Sequence, residues 1–281
     1  MNKLTKNLLV ALVSTLSMNL TLAYTSIAGY TTPPLDEIHL VSGQSSADKL
    51  NPERLSILVW NIYKGGKPAF KNDFPKVIEG KDLVLIQETD SDEKVQSVYR
   101  EIEGYRFDTG VSFTYARYPN SFSGTAIASK VDPVDVSLFR TKYREPFVST
   151  HKVITAATYP MEGKSEELLA INIHAINFSP IQGFFHQLEQ TSEMIKNHKG
   201  PIVFGGDFNC RSLTKTRYMR KFFERHGFTE VTFEKDTRYR SGMTGRIIDY
   251  VFVKDLKILE SKVYGELKSS DHMAMGVELA Y

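Results

Sequence analysis

The stretch at residues 203–209, VFGGDFN, indicates the fold most directly. An apolar run leads into two glycines, and Asp207 and Asn209 follow at once. A short apolar run of this kind predicts a buried strand. Functional groups gather at strand ends, because the loops there converge over one edge of a sheet. The stretch therefore predicts a sheet whose edge carries polar side chains.

Five other apolar runs are bounded by polar residues in the same way. Asn61 follows Trp60, Glu88 follows Gln87, His174 follows Ile173 with Asn177 beyond it, Asp249 follows Ile248, and Asp271-His272 precedes the last apolar run. Taken singly, these residues have structural explanations: turn residues, a helix cap, a hydrogen-bonded core histidine or an ion pair with Arg246. Together, they favour one site at a common sheet edge, since polar groups so placed must be bonded, metal-bound or exposed.

The chemistry of this set is consistent. Glu88, Asp207, Asp249 and Asp271 supply carboxylate oxygens, and Asn61 and Asn209 supply carboxamide oxygens. Oxygen donors of this kind suit Mg²⁺, which binds phosphate oxygens beside one or two carboxylates. His174 and His272 are of a type that donates to phosphate oxygens or moves protons near neutral pH. Carboxylates, imidazoles and a divalent ion are the groups that hydrolyse phosphate esters.

Hydrophobic patterning predicts more strands than helices. Strand-like runs lie at residues 55–60, 82–87, 124–129, 134–138, 152–158, 168–173, 202–205, 247–253 and 273–279. Helical spacing covers residues 181–195, and further helices are expected at about 92–101 and 212–226, the last closed by Gly227. This pattern predicts a mixed sheet sandwich with helices outside.

Composition excludes several classes of protein. The chain has 281 residues, of which 41% are hydrophobic and 24% charged, which is typical of a globular protein and not of a disordered or fibrous one. The mean hydropathy of −0.27 argues against a polytopic membrane protein. A net charge of +2 argues against a nucleic-acid binder that works by bulk charge, although a local basic patch remains compatible with it. Cys210 is the single cysteine, so no intrachain disulfide forms.

The first residues predict export. Residues 1–28 combine Lys3 and Lys6, an apolar run and small-residue exit sites, which is typical of a secretory signal. We therefore expect a periplasmic or secreted protein, with membrane anchoring through residues 7–28 as the alternative. Residues 29–53 have the composition of a linker, and residues 54–281 are expected to form one domain.

Seven segments carry a family resemblance: WNIYKG (60–65), LVLIQE (83–88), SGTAIAS (123–129), NIHAINFS (172–179), GGDFN (205–209), IDYVF (248–252) and SSDH (269–272). With these segments in this order, residues 54–281 resemble the endonuclease/exonuclease/phosphatase superfamily, which is deoxyribonuclease- and sphingomyelinase-like. WNIYKG and NIHAINFS look closest to its bacterial YafD-like branch. The resemblance implies an α+β fold, a four-layered α/β sandwich with two mixed β-sheets face to face and helices outside. It also implies phosphoester hydrolysis that depends on Mg²⁺ or Mn²⁺.

The resemblance implies roles for the oxygen donors. By position, Glu88 resembles the principal metal ligand, with Asn61 and Asp271 beside it. Asp207 resembles the residue that orients or deprotonates the attacking water. Asn209 resembles the residue that holds the water or a phosphate oxygen.

The resemblance also implies roles for the histidines. Asp249 resembles the partner of His272, whose imidazole lies on the phosphate. His174 resembles the histidine that stabilises the transition state or protonates the leaving oxygen. Whether Asp207 or His272 is the base stays open at this point.

Basic residues after GGDFN bear on the substrate. Arg211, Lys215, Arg217, Arg220, Lys221 and Arg225 stand against one acid, Glu224. They form either a solvated helix face or a contact to the phosphate backbone. We expect Asn177, Arg211 and Arg217 to bind substrate. Tyr218, Tyr239 and Tyr250 are expected either to stack on bases or to pack in the core.

Three functions are compatible with the sequence. The favoured one is a metal-dependent nuclease, expected to be a monomer. A sphingomyelinase- or phospholipase C-type lipid phosphodiesterase is the first alternative. It requires an exposed apolar loop, for which residues 111–115 with 121–122 are the candidate. A non-catalytic binding protein on the same fold is the second alternative.

Overall fold

The computed structural model describes residues 29–118, 120–146 and 148–281. The strands are β1 Tyr30–Thr31, β2 His39–Gly43, β3 Leu55–Asn61, β4 Leu83–Asp90, β5 Arg106–Tyr115, β6 Ser123–Ser129, β7 Asp135–Arg140, β8 Val153–Pro160, β9 Glu167–His174, β10 Ile202–Asp207, β11 Thr229–Glu230, β12 Asp249–Lys254, β13 Lys257–Tyr264 and β14 Ala274–Ala280. The helices are α1 Phe70–Ile78, α2 Glu93–Glu101, α3 Ile181–Glu189, α4 Ser192–Asn197 and α5 Leu213–Arg225.

The strands form two mixed sheets. The first sheet has the order β1-β5-β6-β4-β3-β14-β13, with β2 also paired to β5, and the second has the order β11-β12-β10-β9-β8-β7. β3 and β4 pair in parallel, as do β9 and β10, and the other strand pairs are antiparallel. At or near the carboxyl ends of these four strands lie Asn61, Glu88, His174 and Asp207.

The layers follow from three apolar clusters. Ile57 and Leu85 of the first sheet pack against Val203 and Val251 of the second, which makes the inner core. Trp60 belongs to a separate cluster under the first pair of helices. The remaining large cluster joins the outer face of the second sheet to the other helices. The predicted four-layered sandwich is confirmed.

One buried polar bridge joins the two sheets close to the site. The Asn172 amide nitrogen on β9 donates to the carbonyl oxygens of Ile86 and Ala126, at 2.8 Å in both cases. The Gln87 amide nitrogen donates to the Asn172 side-chain oxygen at 2.7 Å. Both side chains are nearly inaccessible to solvent. A buried polar network of this kind fixes one register between the layers, since any slip leaves its groups unpaired.

Close backbone approach explains the second glycine of GGDFN. Gly206 has φ of 144°, and a Cβ placed there would lie 1.9 Å from the carbonyl oxygen of Ile173 on the neighbouring strand. Only glycine avoids this collision. The two strands that carry His174 and Asp207 therefore lie side by side up to their last residues.

Residues 29–53 are part of the domain, which corrects their prediction as a linker. β1 and β2 both pair with β5, and Leu50 is buried in the inner core. The reason for the error is that β2 is an exposed edge strand, so it lacks an apolar run. The predicted export segment, residues 1–28, lies outside the described residues and stays a prediction.

The candidate membrane loop was also wrong. Residues 111–115 are the second half of β5, and Val111, Ser112 and Phe113 are buried. Ser121 and Phe122, the other part of the candidate, precede β6 and are half-buried, so neither part is an exposed apolar loop. Among the described residues, no helix has both the length and the apolar character needed to cross a membrane.

Helix positions agree in part with the predictions. α2 and α5 begin after the capping residues Asp92 and Ser212, as the sequence predicts. The apolar stripe at 181–195 is divided into α3 and α4. α1 was not predicted, since Pro75 in its interior argues against a helix.

We predict that Asn172→Ala lowers the free energy of unfolding by about 3 kcal/mol, because it leaves buried carbonyl and amide groups unpaired. Urea unfolding followed by circular dichroism measures this change. Asn197→Ala, at the exposed end of α4, is the matched control and should change stability by less than about 0.5 kcal/mol. An equally small loss for Asn172→Ala would contradict the role of the bridge.

Candidate active site

The predicted residues meet at one edge of the sandwich. Asn61 ends β3, His174 ends β9 and Asp207 ends β10, while Asp249 begins β12. β12 is antiparallel to β10, so its first residue lies opposite the last residue of β10. His272 stands just before β14, which is antiparallel to β3. Strand direction therefore brings beginnings and ends together at the same place.

Glu88 reaches the site through a β-bulge. The register between β4 and β6 shifts between Gln87 and Thr89, and Glu88 has φ of 56°. A non-glycine residue in this region is strained, and such strain is typical of functional positions. The bulge turns the Glu88 side chain from the sheet toward the cavity, which it lines.

Asn61 connects two carboxylates at the centre. Its amide nitrogen lies 3.3 Å from Glu88 Oε1 and 3.2 Å from Asp207 Oδ2. Its side-chain oxygen accepts the Tyr63 backbone N–H at 3.0 Å. In this arrangement Asn61 donates to both carboxylates, whereas the predicted role as a metal ligand requires its oxygen to face the ion.

His174 faces the same two carboxylates. Its Nε2 lies 3.7 Å from Asp207 Oδ2 and 3.9 Å from Glu88 Oε1. Burial is the largest influence on the pKa of His174 and lowers it well below the usual value; the charges of Lys152, His272, Lys64 and Arg211 lower it further. His174 is therefore a neutral imidazole at neutral pH and a hydrogen-bond donor through one nitrogen.

Asp207 is held by the loop that follows it. The Asn209 backbone N–H donates to Asp207 Oδ1 at 2.8 Å, and the Asn209 amide nitrogen donates to the Ala175 carbonyl oxygen at 2.9 Å. Arg211 in turn donates to the Asn209 side-chain oxygen at 3.2 Å. Burial raises the pKa of Asp207, and the charges of Asp249 and Glu88 raise it further, against the opposing effects of His272 and the Asn209 N–H.

Asp249 and His272 form a buried ion pair. His272 Nδ1 lies 2.8 Å and 3.0 Å from the two Asp249 oxygens, so its Nε2 is left toward Asp207 Oδ2, 4.0 Å away. Burial alone would lower the pKa of His272, but attraction and hydrogen bonding from Asp249 outweigh burial and raise it to about 10. The Tyr239 ring stacks on the imidazole, with centroids 4.5 Å apart. The sequence left open an ion pair between Asp249 and Arg246 as a purely structural explanation of Asp249. In the structure, Asp249 pairs with His272 instead.

The donor set fits a divalent cation. Asp207 and Asp249 offer carboxylate oxygens within 4.8 Å of each other beside the protonated His272, and Glu88 faces Asp207 across Asn61. Buried carboxylates this close need positive charge between them. Carboxylate oxygens are the ligands that hard divalent ions prefer.

The cavity over these groups has a volume of about 420 Å³. Asn177, Asp271 and Arg211 line it, as predicted. Arg217 does not: it lies on the exposed face of α5. Among the predicted site residues of the described chain, Arg217 alone is not brought to the site.

Two arginines of the basic helix are paired with acidic residues. Arg220 makes two hydrogen bonds with Glu230, at 2.9 and 3.2 Å, and Arg225 pairs with Glu189. Lys215 is buried, with its ammonium over the Phe184 ring. Tyr218 and Tyr250 pack in the outer core, so Tyr239 is the one of the three predicted tyrosines that lines the cavity.

Several lining residues were missed in the sequence. Lys152 stands directly before β8, and Glu145 lies in the loop before it; both line the cavity with Tyr63 and Phe178. The position of Lys152 could have been predicted from the sequence. It stands at the start of a strand antiparallel to β9, and the start of such a strand lies at the carboxyl end of β9. The position of Glu145 could not have been predicted in this way, since it depends on the path of a loop.

Comparison with known proteins identifies the family. The sequence model of the endonuclease/exonuclease/phosphatase family matches residues 58–272. The chain belongs to this family. It is therefore a phosphoester hydrolase by family, and the resemblance stated from the sequence is confirmed.

Individual relatives agree with this assignment. A UPF0294 protein of Vibrio campbellii is 30% identical over 219 residues, which cover 78% of this chain and 74% of that protein, and it fits the YafD-like branch. An endonuclease/exonuclease/phosphatase family protein from Leptotrichia buccalis has a TM-score of 0.64 at 16% identity, over 81% of this chain and 100% of that one. A mannosyl-6-phosphatase from Bacteroides thetaiotaomicron has a TM-score of 0.62 at 15% identity, with the same coverage of both chains. At this identity, the two structures demonstrate the fold alone.

We predict that Asp249→Asn lowers the pKa of His272 well below about 10, because the charge and hydrogen bonding of Asp249 are lost while burial, which lowers this pKa, remains. An NMR titration of the imidazole nitrogens in metal-free protein measures this pKa, with His272→Gln to assign the resonance. Asp271→Asn, beside His272 on the exposed side, should lower the pKa less. An unchanged pKa in Asp249→Asn would contradict the ion pair.

Proposed function

We propose that this protein is a metal-dependent phosphodiesterase that cleaves nucleic acid by in-line attack of water, with Mg²⁺ or Mn²⁺ as the ion. The observation that carries the proposal is that His174 Nε2 lies within 4 Å of both Glu88 Oε1 and Asp207 Oδ2, beside the charged His272. Two acids, a neutral imidazole and an imidazolium in one cavity match what phosphate hydrolysis requires.

Glu88 would hold the divalent ion, with Asp271 in the lining of the same cavity and Asn61 contributing if its amide turns. When bound, such an ion neutralises charge on the phosphate and on the leaving oxygen. The proposal is supported by the buried carboxylates, whose mutual repulsion a cation would relieve.

Asp207 is the proposed base. Its raised pKa makes it a better proton acceptor than an ordinary aspartate, while the N–H of Asn209 holds one of its oxygens. His272 is an unsuitable base, because Asp249 keeps it protonated at neutral pH.

The two histidines would stabilise the phosphate. His272 directs the positively charged Nε2 side of its ring into the cavity, where it would attract a phosphate oxygen. His174, neutral because of burial, would donate one hydrogen bond to a developing charge on the phosphate or on the leaving oxygen. Neither histidine needs to move, since both are fixed by strand ends.

The rim of the cavity favours nucleic acid as substrate. Tyr63 and Phe178 are 44% and 57% exposed, and both have φ of 51°, so strained backbone presents two aromatic rings to solvent. The Arg211 guanidinium lies over the Phe178 ring, 5.8 Å from its centroid. Exposed aromatic rings beside an arginine are what binds bases and phosphates of a nucleic-acid strand.

We predict that Glu88→Gln and His174→Gln each lower kcat by about 10²- to 10⁴-fold, because each removes charge or hydrogen bonding needed in the transition state. Hydrolysis of bis(p-nitrophenyl) phosphate with Mg²⁺ measures this independently of the natural substrate. Thermal unfolding should show that both variants remain folded.

Glu224→Gln, on the exposed face of α5, is the matched control and should keep the rate of the unchanged protein. If Glu88→Gln and His174→Gln also keep this rate, the proposed active site is wrong.

A further inference from the structure

A second cavity opens from the catalytic one. It has a volume of about 190 Å³ and shares Glu88, His174, Glu145 and Lys152 with the catalytic cavity. From there it extends between Lys64 and the strands β5 and β6. We name it the lysine pocket, after Lys64 and Lys152. A cavity of this size is smaller than the 300–1,000 Å³ of typical ligand pockets, so it suits a compact group and not a nucleobase with its sugar.

Lys152 is the unusual residue of the lysine pocket. Its exposed fraction is 9%, and its ammonium lies 3.5 Å from Glu145 Oε2. The other Glu145 oxygen already accepts the Asn177 backbone N–H at 2.8 Å. Lysine carries three donors and is seldom buried without partners for them. Within the described residues one carboxylate faces Lys152, which leaves donors directed at the cavity.

Lys64 lies at the other side of the lysine pocket. Its ammonium donates to the Tyr115 hydroxyl at 3.0 Å and lies 5.4 Å from the centroids of the Phe113 and Tyr115 rings. Lys64 belongs to a short 3₁₀ turn and has φ of 52°. The strained turn and the two aromatic rings therefore hold the Lys64 ammonium in one position, although the lysine side chain is flexible by itself.

The balance of charge in the lysine pocket favours an anion. Two lysines and two glutamates, Glu88 and Glu145, line it. In the proposed function Glu88 is occupied by the divalent ion, and Glu145 is bonded to the Asn177 N–H. With Glu88 compensated in this way, the lysines make the pocket positive, and the hydroxyl-bearing residues Ser112, Ser123 and Thr150 add polar groups to its wall.

We propose that the lysine pocket binds a second phosphate group of the substrate, one that lies next to the phosphate being hydrolysed. This inference rests on the proposed function, because it places the scissile phosphate at Glu88 and His174. The pocket is compact, so the phosphate it takes is a terminal one: either the phosphorylated end of a nucleic-acid strand or the second phosphate of a small bisphosphate. The enzyme then acts at ends, and internal phosphodiesters are poorer substrates.

The test compares substrates with and without the extra phosphate. Dinucleotides with a 5′-phosphate, a 3′-phosphate or neither form one arm, and a sugar bisphosphate with its monophosphate forms the other. We expect at least a tenfold higher kcat/KM for the phosphorylated member of one arm, and the arm in which this occurs identifies the source. Lys152→Met and Lys64→Met should reduce this ratio to about one. Lys152→Arg should retain part of the preference.

Lys71→Met, an exposed lysine on α1, is the matched control and should keep the full ratio. Two results would overturn the proposal. One is the absence of a preference in the unchanged protein. The other is a loss of kcat/KM in Lys152→Met and Lys64→Met that is equal for both members of a pair, which would indicate a general effect on the active site.

A binding measurement separates this inference from the proposed function. Inorganic phosphate is titrated calorimetrically into protein saturated with Mg²⁺, with no turnover involved. Binding that Asp207→Asn retains and Lys64→Met weakens at least tenfold supports the lysine pocket even if no phosphodiester is cleaved. Phosphate binding that is unchanged in both lysine variants, or absent throughout, overturns it.

Discussion

The rest of the site depends on the repulsion between carboxylates that the fold holds together out of water. Glu88, Asp207 and Asp249 lie at one sheet edge, and the last two are almost fully buried. Asp249 is compensated by the imidazolium of His272, and Asp207 by the Asn209 N–H and the Asn61 amide. Among the described residues, Glu88 lies within 4 Å of His174 but forms no ion pair with a lysine or an arginine, so a divalent ion would lower the free energy most at Glu88. The uncompensated negative charge of Glu88 therefore favours the binding of a cation in the cavity.

The fold provides rigid support for these charges. The Asn172–Gln87 bridge joins the two sheets directly below Glu88, and Gly206 allows the strands of His174 and Asp207 to run side by side. Groups fixed in this way need no reorganisation when substrate binds, and such preorganisation is a large part of enzymatic rate enhancement. The strained backbone at Glu88 is the local cost of pointing a strand residue into a cavity.

Sequence alone predicted the sandwich and most of the site, because both depend on local patterns. Apolar runs bounded by polar residues are visible without tertiary information, and strand direction then brings those residues together. The edge strands β2 and β13 were missed since they are largely exposed and carry no apolar run. β5 was misread as a membrane loop because Asp108, buried with Arg106 and His39 as partners, interrupts its pattern. The position of Glu145 in the cavity depends on the path of a loop, which the sequence pattern does not give. Arg217 faces away from the cavity because of the rotation of α5 about its axis, and counting the charges of a helix does not reveal that rotation.

The most direct measurement assays linearised plasmid DNA, RNA and sphingomyelin liposomes side by side with purified protein and Mg²⁺, with a chelator arm and Asp207→Asn as controls. The account predicts cleavage of nucleic acid that chelation abolishes and that Asp207→Asn loses. Hydrolysis of the liposomes alone, or nucleic-acid cleavage that survives in Asp207→Asn, would contradict it.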